Sequence, residues 1–220
     1  MQLRERLPVL ARILLLALPL CLPAMPAQAS GVASYYAPPS QSQATLQIGY
    51  NPAKYSQDYI TLNQNPVIRF ASATAGFHYD AEKRAILNLR AAITTGSLTS
   101  SDKDYTWTIM GPSALDIVQY DELSVMSIPA AAFDKDGVAI LDGTIRIRGI
   151  SGPAKIEARL YFQDNPNFIT DKLLGKKSTM GLALTFTFNC VDFNMNPVDD
   201  NNKSRGDIGT IKYEMLAVKQ

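Results

Sequence analysis

Few side chains in this chain belong to the types that catalyse reactions, and they do not form a recognisable motif. His78 is the only histidine and Cys190 is one of two cysteines. A Ser-His-Asp triad would have to use His78, which stands among aromatic residues in a segment that resembles a strand. We therefore predict that the chain is not an enzyme. An enzyme that uses His78 or Asp192 is the weakest of the three hypotheses that the sequence leaves open.

Metal-binding patterns are equally weak. A single histidine cannot build a His-rich zinc site. The turns at residues 134–137 and 199–202 contain carboxylate and amide oxygens, but neither has the calcium-loop spacing that ends in a distant glutamate. Cys190 continues the apolar face of a strand, which indicates a buried packing thiol. We expect no metal and no cofactor.

Arg146 and Arg148 stand two residues apart and could together hold an anion. They lie on the polar face of an alternating strand, and Glu157 lies on the polar face of the strand that follows. Cross-strand pairs of opposite charge stabilise antiparallel sheets. We therefore interpret both arginines as solvated partners on an outer sheet face.

These arginines belong to the clearest structural pattern of the chain, which extends over residues 142–162. Ile145 and Ile147 alternate with polar residues, and a second alternation follows residues 149–153, which include two glycines and a proline. A period of two predicts strands with one buried and one solvated face. The intervening glycines and proline predict a tight reversal. The segment is predicted to be a β-hairpin.

Similar alternation recurs along the chain from residue 44. About eight such segments, short turns and the lack of long helical periods predict an all-β, antiparallel sandwich or barrel. Residues 94–120 interrupt the pattern and are predicted to be an insert across one end of the sheet. Within it, residues 115–118 predict one helical turn, with Ser113 as its cap.

The first 29 residues have the composition of a secretory signal. Three arginines precede an apolar run at residues 13–22, and Ala27 and Ala29 provide the small residues of a cleavage site. No later apolar run approaches the roughly 20 residues of a membrane-spanning helix. We predict cleavage near Ala29, a periplasmic or secreted protein, and a flexible leader over residues 30–43.

Charge and cysteine content narrow the function classes further. Removal of the signal takes away three arginines and one glutamate and changes the formal charge from +1 to −1. A nearly neutral chain without a basic cluster has no electrostatic basis for binding nucleic acid. The single remaining cysteine cannot form an internal disulfide, so the core must come from apolar burial.

Five short blocks occur in an order that points to a known family. They are GFHYD at residues 76–80, ITTGSLT at 93–99, LDIVQY at 115–120, GTIRIRGISGP at 143–153 and NCVDFNM at 189–195. Together they resemble the YceI-like family, secreted bacterial proteins with an extended lipocalin-like barrel. The resemblance covers residues 44–220 and implies one antiparallel barrel of about eight strands with one short helical insert.

Three positions depart from the family pattern. Residues 105–110 (YTWTIM) replace an Arg-Asp-x-His-Leu stretch, Asp121 stands where proline is usual, and Asn194 stands where glycine is usual. The first and the third lie near the expected mouth of the barrel, where they could change which ligand is bound.

The resemblance also implies a function, because family members bind amphipathic isoprenoid molecules inside the barrel. It predicts an exported carrier, monomeric or homodimeric, of a polyisoprenoid, an isoprenoid quinone or a similar lipid. The sequence leaves open a second hypothesis, a structural or interaction barrel with a filled core that binds a protein partner through its loops. If the barrel is hollow, its predicted lining is Leu89, Ile93, Trp107, Ile117, Ile156, Leu160, Leu184, Phe186, Phe188, Tyr213 and Met215.

Overall fold

The computed structural model describes residues 31–62, 64–163, 178–197 and 206–220. The predicted signal peptide at residues 1–29 lies outside them. The described strands are β1 (Val32–Ala37), β2 (Ser42–Gly49), β3 (Ile68–Phe70), β4 (Ala73–Asp80), β5 (Ala85–Thr94), β6 (Leu98–Thr99), β7 (Glu122–Ser127), β8 (Ala131–Ala132), β9 (Val138–Ile147), β10 (Ile150–Gln163), β11 (Thr179–Asn189) and β12 (Ile208–Lys219). The described helices are α1 (Gln57–Leu62) and α2 (Lys103–Met110).

The strands form one antiparallel sheet that closes on itself. β1 and β2 both pair with β12, one after the other along its length. β4 pairs with β1 and β3 pairs with β2, and in the same way β5 pairs with β4 and β6 with β3. Each of these pairs is one broken barrel strand, and β7, β9, β10, β11 and β12 complete the ring of eight. β12 also pairs with β1 and so closes the barrel. The predicted fold class is confirmed.

The three broken strands are interrupted at the same level of the barrel wall. Ala71 donates its N–H to Ser97 O at 3.1 Å, and Thr94 donates its N–H to Ser72 O at 2.9 Å. On the first strand the break contains Pro38 and Pro39, which have no N–H to donate to a ladder. Backbone hydrogen bonds are thus kept between the second and third broken strands, while prolines interrupt the first.

Part of the predicted flexible leader is a barrel strand, so that prediction is wrong from Val32 onward. β1 pairs with β4 along its whole length and with β12 at its end. The ring of Tyr35 is buried and stacks on Phe77, with ring centroids 5.5 Å apart. The apolar alternation of β1 is too short to indicate a strand from the sequence alone. The strand forms because β4 and β12, which are distant in sequence, provide its hydrogen-bond partners.

The predicted hairpin is confirmed, with a tighter turn than the glycines and proline suggested. β9 and β10 are joined by Arg148 and Gly149, whose φ angles are 52° and 73°. Positive φ at both positions is typical of the two-residue hairpin turn that follows strand twist. Pro153 lies within β10, where it pairs with β9 but precedes the region paired with β11. Proline is tolerated there because that side of the strand carries no ladder.

The helical insert exists, but its helix lies earlier than predicted. α2 begins after Asp102, whose carboxylate accepts the Tyr105 N–H at 2.9 Å and caps the helix. Residues 112–119, which include the predicted helical turn, form turns instead. The N–H groups of Leu115 and Ile117 return to the last carbonyls of α2, at 2.9 and 3.1 Å. The second helix, α1, was not predicted.

The antiparallel order places alternate connections at opposite ends of the barrel. We call one of them the upper end. It carries the described residues 50–62, 64–67, 100–121, 148–149 and 190–197. Within the described residues, neither α1 nor α2 has the length and hydropathy that a membrane-spanning helix requires.

Candidate functional site

The interior of the barrel is the candidate site, and most of the predicted lining residues lie in it. Eight of them are buried in one apolar cluster: Leu89, Ile93, Ile156, Leu184, Phe186, Phe188, Tyr213 and Met215. Ile117 and Leu160 are partly buried against that cluster. Strand alternation explains this placement, since every second side chain of a barrel strand points inward.

The interior is filled by its own side chains around the centre of this cluster. A side chain that borders a cavity wide enough for water exposes part of its surface to that cavity. Leu89, Ile156 and Leu184 expose 0% of theirs. No such cavity therefore touches them, and the packing at this level is that of a dry core.

Trp107 does not line the interior. Its side chain is 70% exposed, on the outer side of α2. The inward side of α2 is formed by Tyr105 and Ile109, which expose 1% and 0% of their surfaces and belong to the core cluster. Sequence reasoning missed both residues, although their spacing of four is that of one helix face.

Three polar side-chain atoms are buried at the break between β1 and β2. They are Gln41 Oε1, Ser42 Oγ and Tyr213 Oη. Ser42 lies opposite Met215, and Tyr213 lies opposite Ala44, so the two hydroxyl residues are diagonal neighbours on β2 and β12. Burial raises the pKa of Tyr213 to about 12, and the hydrogen bond between the Tyr213 and Ser42 hydroxyls partly offsets that rise.

The wall between β10 and β11 is only partly paired. Their ladder includes Glu157 and Thr185 and continues away from the upper end, whereas the first residues of β10 pair with β9 alone. The ring of Phe193 covers this gap. It lies so close to Gly152 of β10 that a Cβ added there would come 3.0 Å from the ring. Phe188 meets Phe193 edge to face with centroids 5.5 Å apart. Phe193 therefore covers the part of the wall that lacks a described backbone ladder, and the Phe188 ring, which lies over Gly209 of β12, packs against Phe193.

Arg148 joins the connections of the upper end and is not a solvated cross-strand partner, so that interpretation was wrong. Its guanidinium donates to Asn194 O and lies 4.0 Å from Asp116 Oδ2. It also lies over the Tyr120 ring, 6.0 Å from the centroid. Arg146, two residues earlier, is exposed on the outer face as predicted, but Ser151 and Ser124 lie opposite it instead of Glu157. The positive φ of Arg148 turns its side chain away from the alternation of β9.

Asn194 explains one departure from the family pattern. Its φ of 54° and ψ of 31° are left-handed values, at the end of the short helical turn Cys190–Phe193. Glycine adopts this conformation without a steric penalty, and asparagine is among the few other residues that tolerate it. The substitution therefore preserves the backbone that presents Asn194 O to Arg148.

The described side chains of types that could bind a metal or take part in catalysis are buried or form hydrogen bonds within the fold. Cys190 is buried, as predicted, and burial raises the pKa of its thiol to about 12. His78 Nδ1 lies 3.1 Å from the amide nitrogen of Asn88. Asp134 Oδ1 accepts two N–H groups of its own turn, from Asp136 at 2.9 Å and Val138 at 2.8 Å. The acidic turn at residues 199–202 lies outside the described residues. Within the described ranges, no three His, Cys, Asp or Glu side chains converge as metal ligands would.

The model of the YceI-like domain matches residues 36–217. The crystal structure of BcnA from Burkholderia cenocepacia is similar with a TM-score of 0.60 and 15% identity, over 82% of this chain and 98% of that one. The YCEI protein of Campylobacter jejuni is similar with a TM-score of 0.56 and 15% identity, over 70% of this chain and 84% of that one. No curated protein sequence matches. At these identities the structural likenesses establish the fold alone.

Proposed function

The chain belongs to the YceI-like family, and from this premise we propose that it is an exported protein that binds an amphipathic isoprenoid lipid inside its barrel. The lipid is a polyisoprenoid, an isoprenoid quinone or a molecule of similar shape. The protein acts by binding and carrying this lipid and not by chemical transformation.

The observation that carries the proposal is the continuous apolar interior of a closed eight-stranded barrel. A barrel of this size accommodates one small ligand when its side chains leave room. Burial of an isoprenoid tail is favourable by roughly 25 cal/mol per Å² of apolar surface. A tail of several isoprene units therefore has enough surface to compete with the side chains that now fill the interior.

Binding requires the interior to rearrange, because Leu89, Ile156 and Leu184 are packed without space between them. The unpaired stretch between β10 and β11 is a suitable place for that change. Phe193 covers it through its side chain alone, with Phe188 packed against it, so opening there breaks no described ladder between the two strands. We propose that the tail enters between these two rings.

Native mass spectrometry tests the proposal. The mature protein should carry a lipid adduct after purification from a lipid-containing host, or acquire one after incubation with an isoprenoid alcohol or quinone. Denatured protein from the same preparation is the control, because a non-covalent adduct disappears on unfolding. Repeated absence of an adduct, even after incubation, contradicts the proposal.

A second candidate is an interaction barrel that binds a protein partner through its loops. The filled interior favours it, because a dry core needs no ligand. Exposed apolar side chains at the upper end also favour it; the most exposed are Leu62, Trp107, Val118 and Val191, at 84, 70, 94 and 71%. A stable apo protein that takes up no isoprenoid but binds a partner lost on substitution of Trp107 would establish this candidate.

Export is part of the proposal and has its own test. Cleavage after Ala29 leaves Ser30 as the mature N-terminus in the periplasm or the medium. N-terminal sequencing of periplasmic protein should begin at Ser30. A sequence that begins at Met1 would contradict export by this signal.

A further inference from the structure

The outer wall of the barrel carries a groove that is separate from the interior. It crosses β1, β4, β5, β7 and β9 and has a volume of about 610 Å³. Small outward side chains, which are neighbours across three strands, form its floor: Thr74, Ala92 and Ser124. Larger side chains of the adjacent outward row form one bank: Tyr36, Arg90 and Met126. The groove therefore has the size of a small-molecule site and results from a row of small residues beside a row of large ones.

Two arginine side chains line this groove without a partner of opposite charge. Arg90 lies on β5, and Arg146 lies on β9 opposite Ser124. Both are exposed, and neither guanidinium forms an ion pair with a carboxylate of the described residues. Glu122 is the one acidic residue among the described lining. The groove is thus locally cationic, although the mature chain as a whole is nearly neutral.

We propose that this groove binds a small organic oxyanion, a carboxylate or a phosphate that is attached to a flat apolar body. Guanidinium groups recognise both oxyanions because their N–H donors match the spacing of two oxygens. The hydroxyls of Ser124 and Thr144, which also line the groove, can donate further hydrogen bonds. The inference is independent of the proposed function, since the groove lies outside the barrel interior.

The apolar part of the site is provided by Tyr36 and Met126, which are 41% and 38% exposed. Gly76 lies between Tyr36 and Arg90 in the sheet. The Tyr36 ring lies beside this glycine, because a Cβ added there would be 4.0 Å from Tyr36 Cδ2. No side chain therefore stands between the ring and Arg90. A planar body can stack on the ring while its oxyanion reaches the guanidinium.

The shape of the groove and the pairing of its strands favour a small molecule over a membrane or an extended peptide. The floor residues are partly buried, whereas Tyr36, Arg90 and Arg146 on the banks are exposed. A flat bilayer surface would rest on the banks and leave the floor empty. β4, β5 and β7 are each paired on both sides. An extended peptide therefore finds no free strand edge to pair with here.

The test is an NMR titration of the ¹⁵N-labelled mature protein with three probes: 1-naphthoate, 1-naphthyl phosphate and the uncharged 1-naphthalenemethanol. Wild-type protein should bind both anions more tightly than the alcohol. Arg90→Gln and Arg146→Gln should each weaken the anions by about 3- to 10-fold, as expected for an exposed charged hydrogen bond, and leave the alcohol unchanged. The matched control is Arg69→Gln, which removes an exposed arginine of β3 with the same change of charge and should leave all three affinities as in wild type.

The same spectra show where the probes bind. The largest chemical-shift changes should be at the amides of Thr74, Ala92 and Ser124. Changes centred on β11 and β12 instead would place the anion elsewhere and overturn the inference. Equal affinities for the alcohol and the anions, or equal anion affinities of wild type and both arginine variants, would also overturn it. If one arginine variant does not fold, the other is compared with Arg69→Gln.

Other occupants of the groove have their own readouts. Sedimentation of the probe-free protein should show no self-association that Arg146→Gln abolishes. If it does, the groove is an interface between copies of this chain. Vesicles of phosphatidylglycerol should not bind the wild-type protein more strongly than they bind Arg146→Gln. Such a difference would assign the arginines to a lipid surface. Either result would replace the small-molecule site and would leave the proposed isoprenoid binding untouched.

Discussion

The barrel interior and the upper end are held together by different interactions. Inside, apolar side chains such as Leu184 and Phe186 pack without water and need no particular partner, so any apolar residue of similar size would serve. At the upper end, separate connections are joined by individual polar contacts. Arg148 donates to Asn194 O, and Asn196 donates its N–H to Ser113 O at 2.7 Å.

This difference shows how the two regions should respond to mutation and to ligand. Loss of volume inside the barrel leaves a cavity, whereas loss of a polar contact at the upper end frees one connection. A lipid would stabilise the interior and would affect the upper end only through Phe188 and Phe193. The following substitutions test the contrast in order of expected effect.

Phe186→Ala should have the largest effect, a loss of about 3–5 kcal/mol in the free energy of unfolding, because it leaves a cavity in a filled interior. Phe186 is 2% exposed. The matched control is Thr187→Ala on the outer face of the same strand, which should change stability by no more than about 0.5 kcal/mol. Urea denaturation measures both. A small loss at Phe186 that an isoprenoid reverses would instead indicate a hollow interior.

The buried Tyr213 hydroxyl should make stability fall at alkaline pH. Burial raises the pKa of Tyr213 from 10 to about 12, so the folded protein keeps a proton that the unfolded chain releases. This contribution is fully present below pH 10 and is lost as the pH rises to about 12. It amounts to about 2–3 kcal/mol. Urea titrations across this window should show a smaller decline for Tyr213→Phe than for wild type; equal declines would contradict the burial of the hydroxyl.

Arg148→Met should lower the free energy of unfolding by about 1–2 kcal/mol, because it removes a hydrogen bond to a carbonyl and a contact with the Tyr120 ring. Arg146→Met is the matched control, since Arg146 is exposed on the adjoining strand. It should stay within about 0.5 kcal/mol of wild type. Equal effects of the two substitutions, measured by thermal unfolding, would mean that Arg148 does not join the connections.

Trp107→Ala should have the smallest effect, no more than about 0.5 kcal/mol, because the side chain is 70% exposed. Trp107 is the only tryptophan, so its fluorescence can be assigned without ambiguity. Acrylamide should quench it nearly as well in the folded as in the unfolded protein. An indole that is protected in the folded state would support the place in the barrel lining that the sequence predicted.

The sequence predicted those parts of the fold that depend on local periodicity. The alternation at residues 142–162 predicts the hairpin, and the apolar face that ends at Cys190 predicts a buried thiol. Both predictions are confirmed because strand alternation decides burial residue by residue. The same reasoning placed eight of the eleven predicted lining residues in the core cluster. Trp107 was assigned to the lining from its place in the predicted insert and not from alternation, and it lies on the exposed side of the helix formed by residues 103–110.

The tertiary structure decided what depends on residues that are distant in sequence. Arg148 and Asn194 are 46 positions apart, and their contact depends on a left-handed turn at each residue. β1 became a strand because β4 and β12 offered it hydrogen-bond partners. The buried hydroxyls of Ser42 and Tyr213 meet because β2 lies beside β12. The sequence by itself therefore determined which faces are apolar, since that is a property of neighbouring residues. Whether those faces enclose space, and where a polar group is left among them, was decided by how distant strands pack.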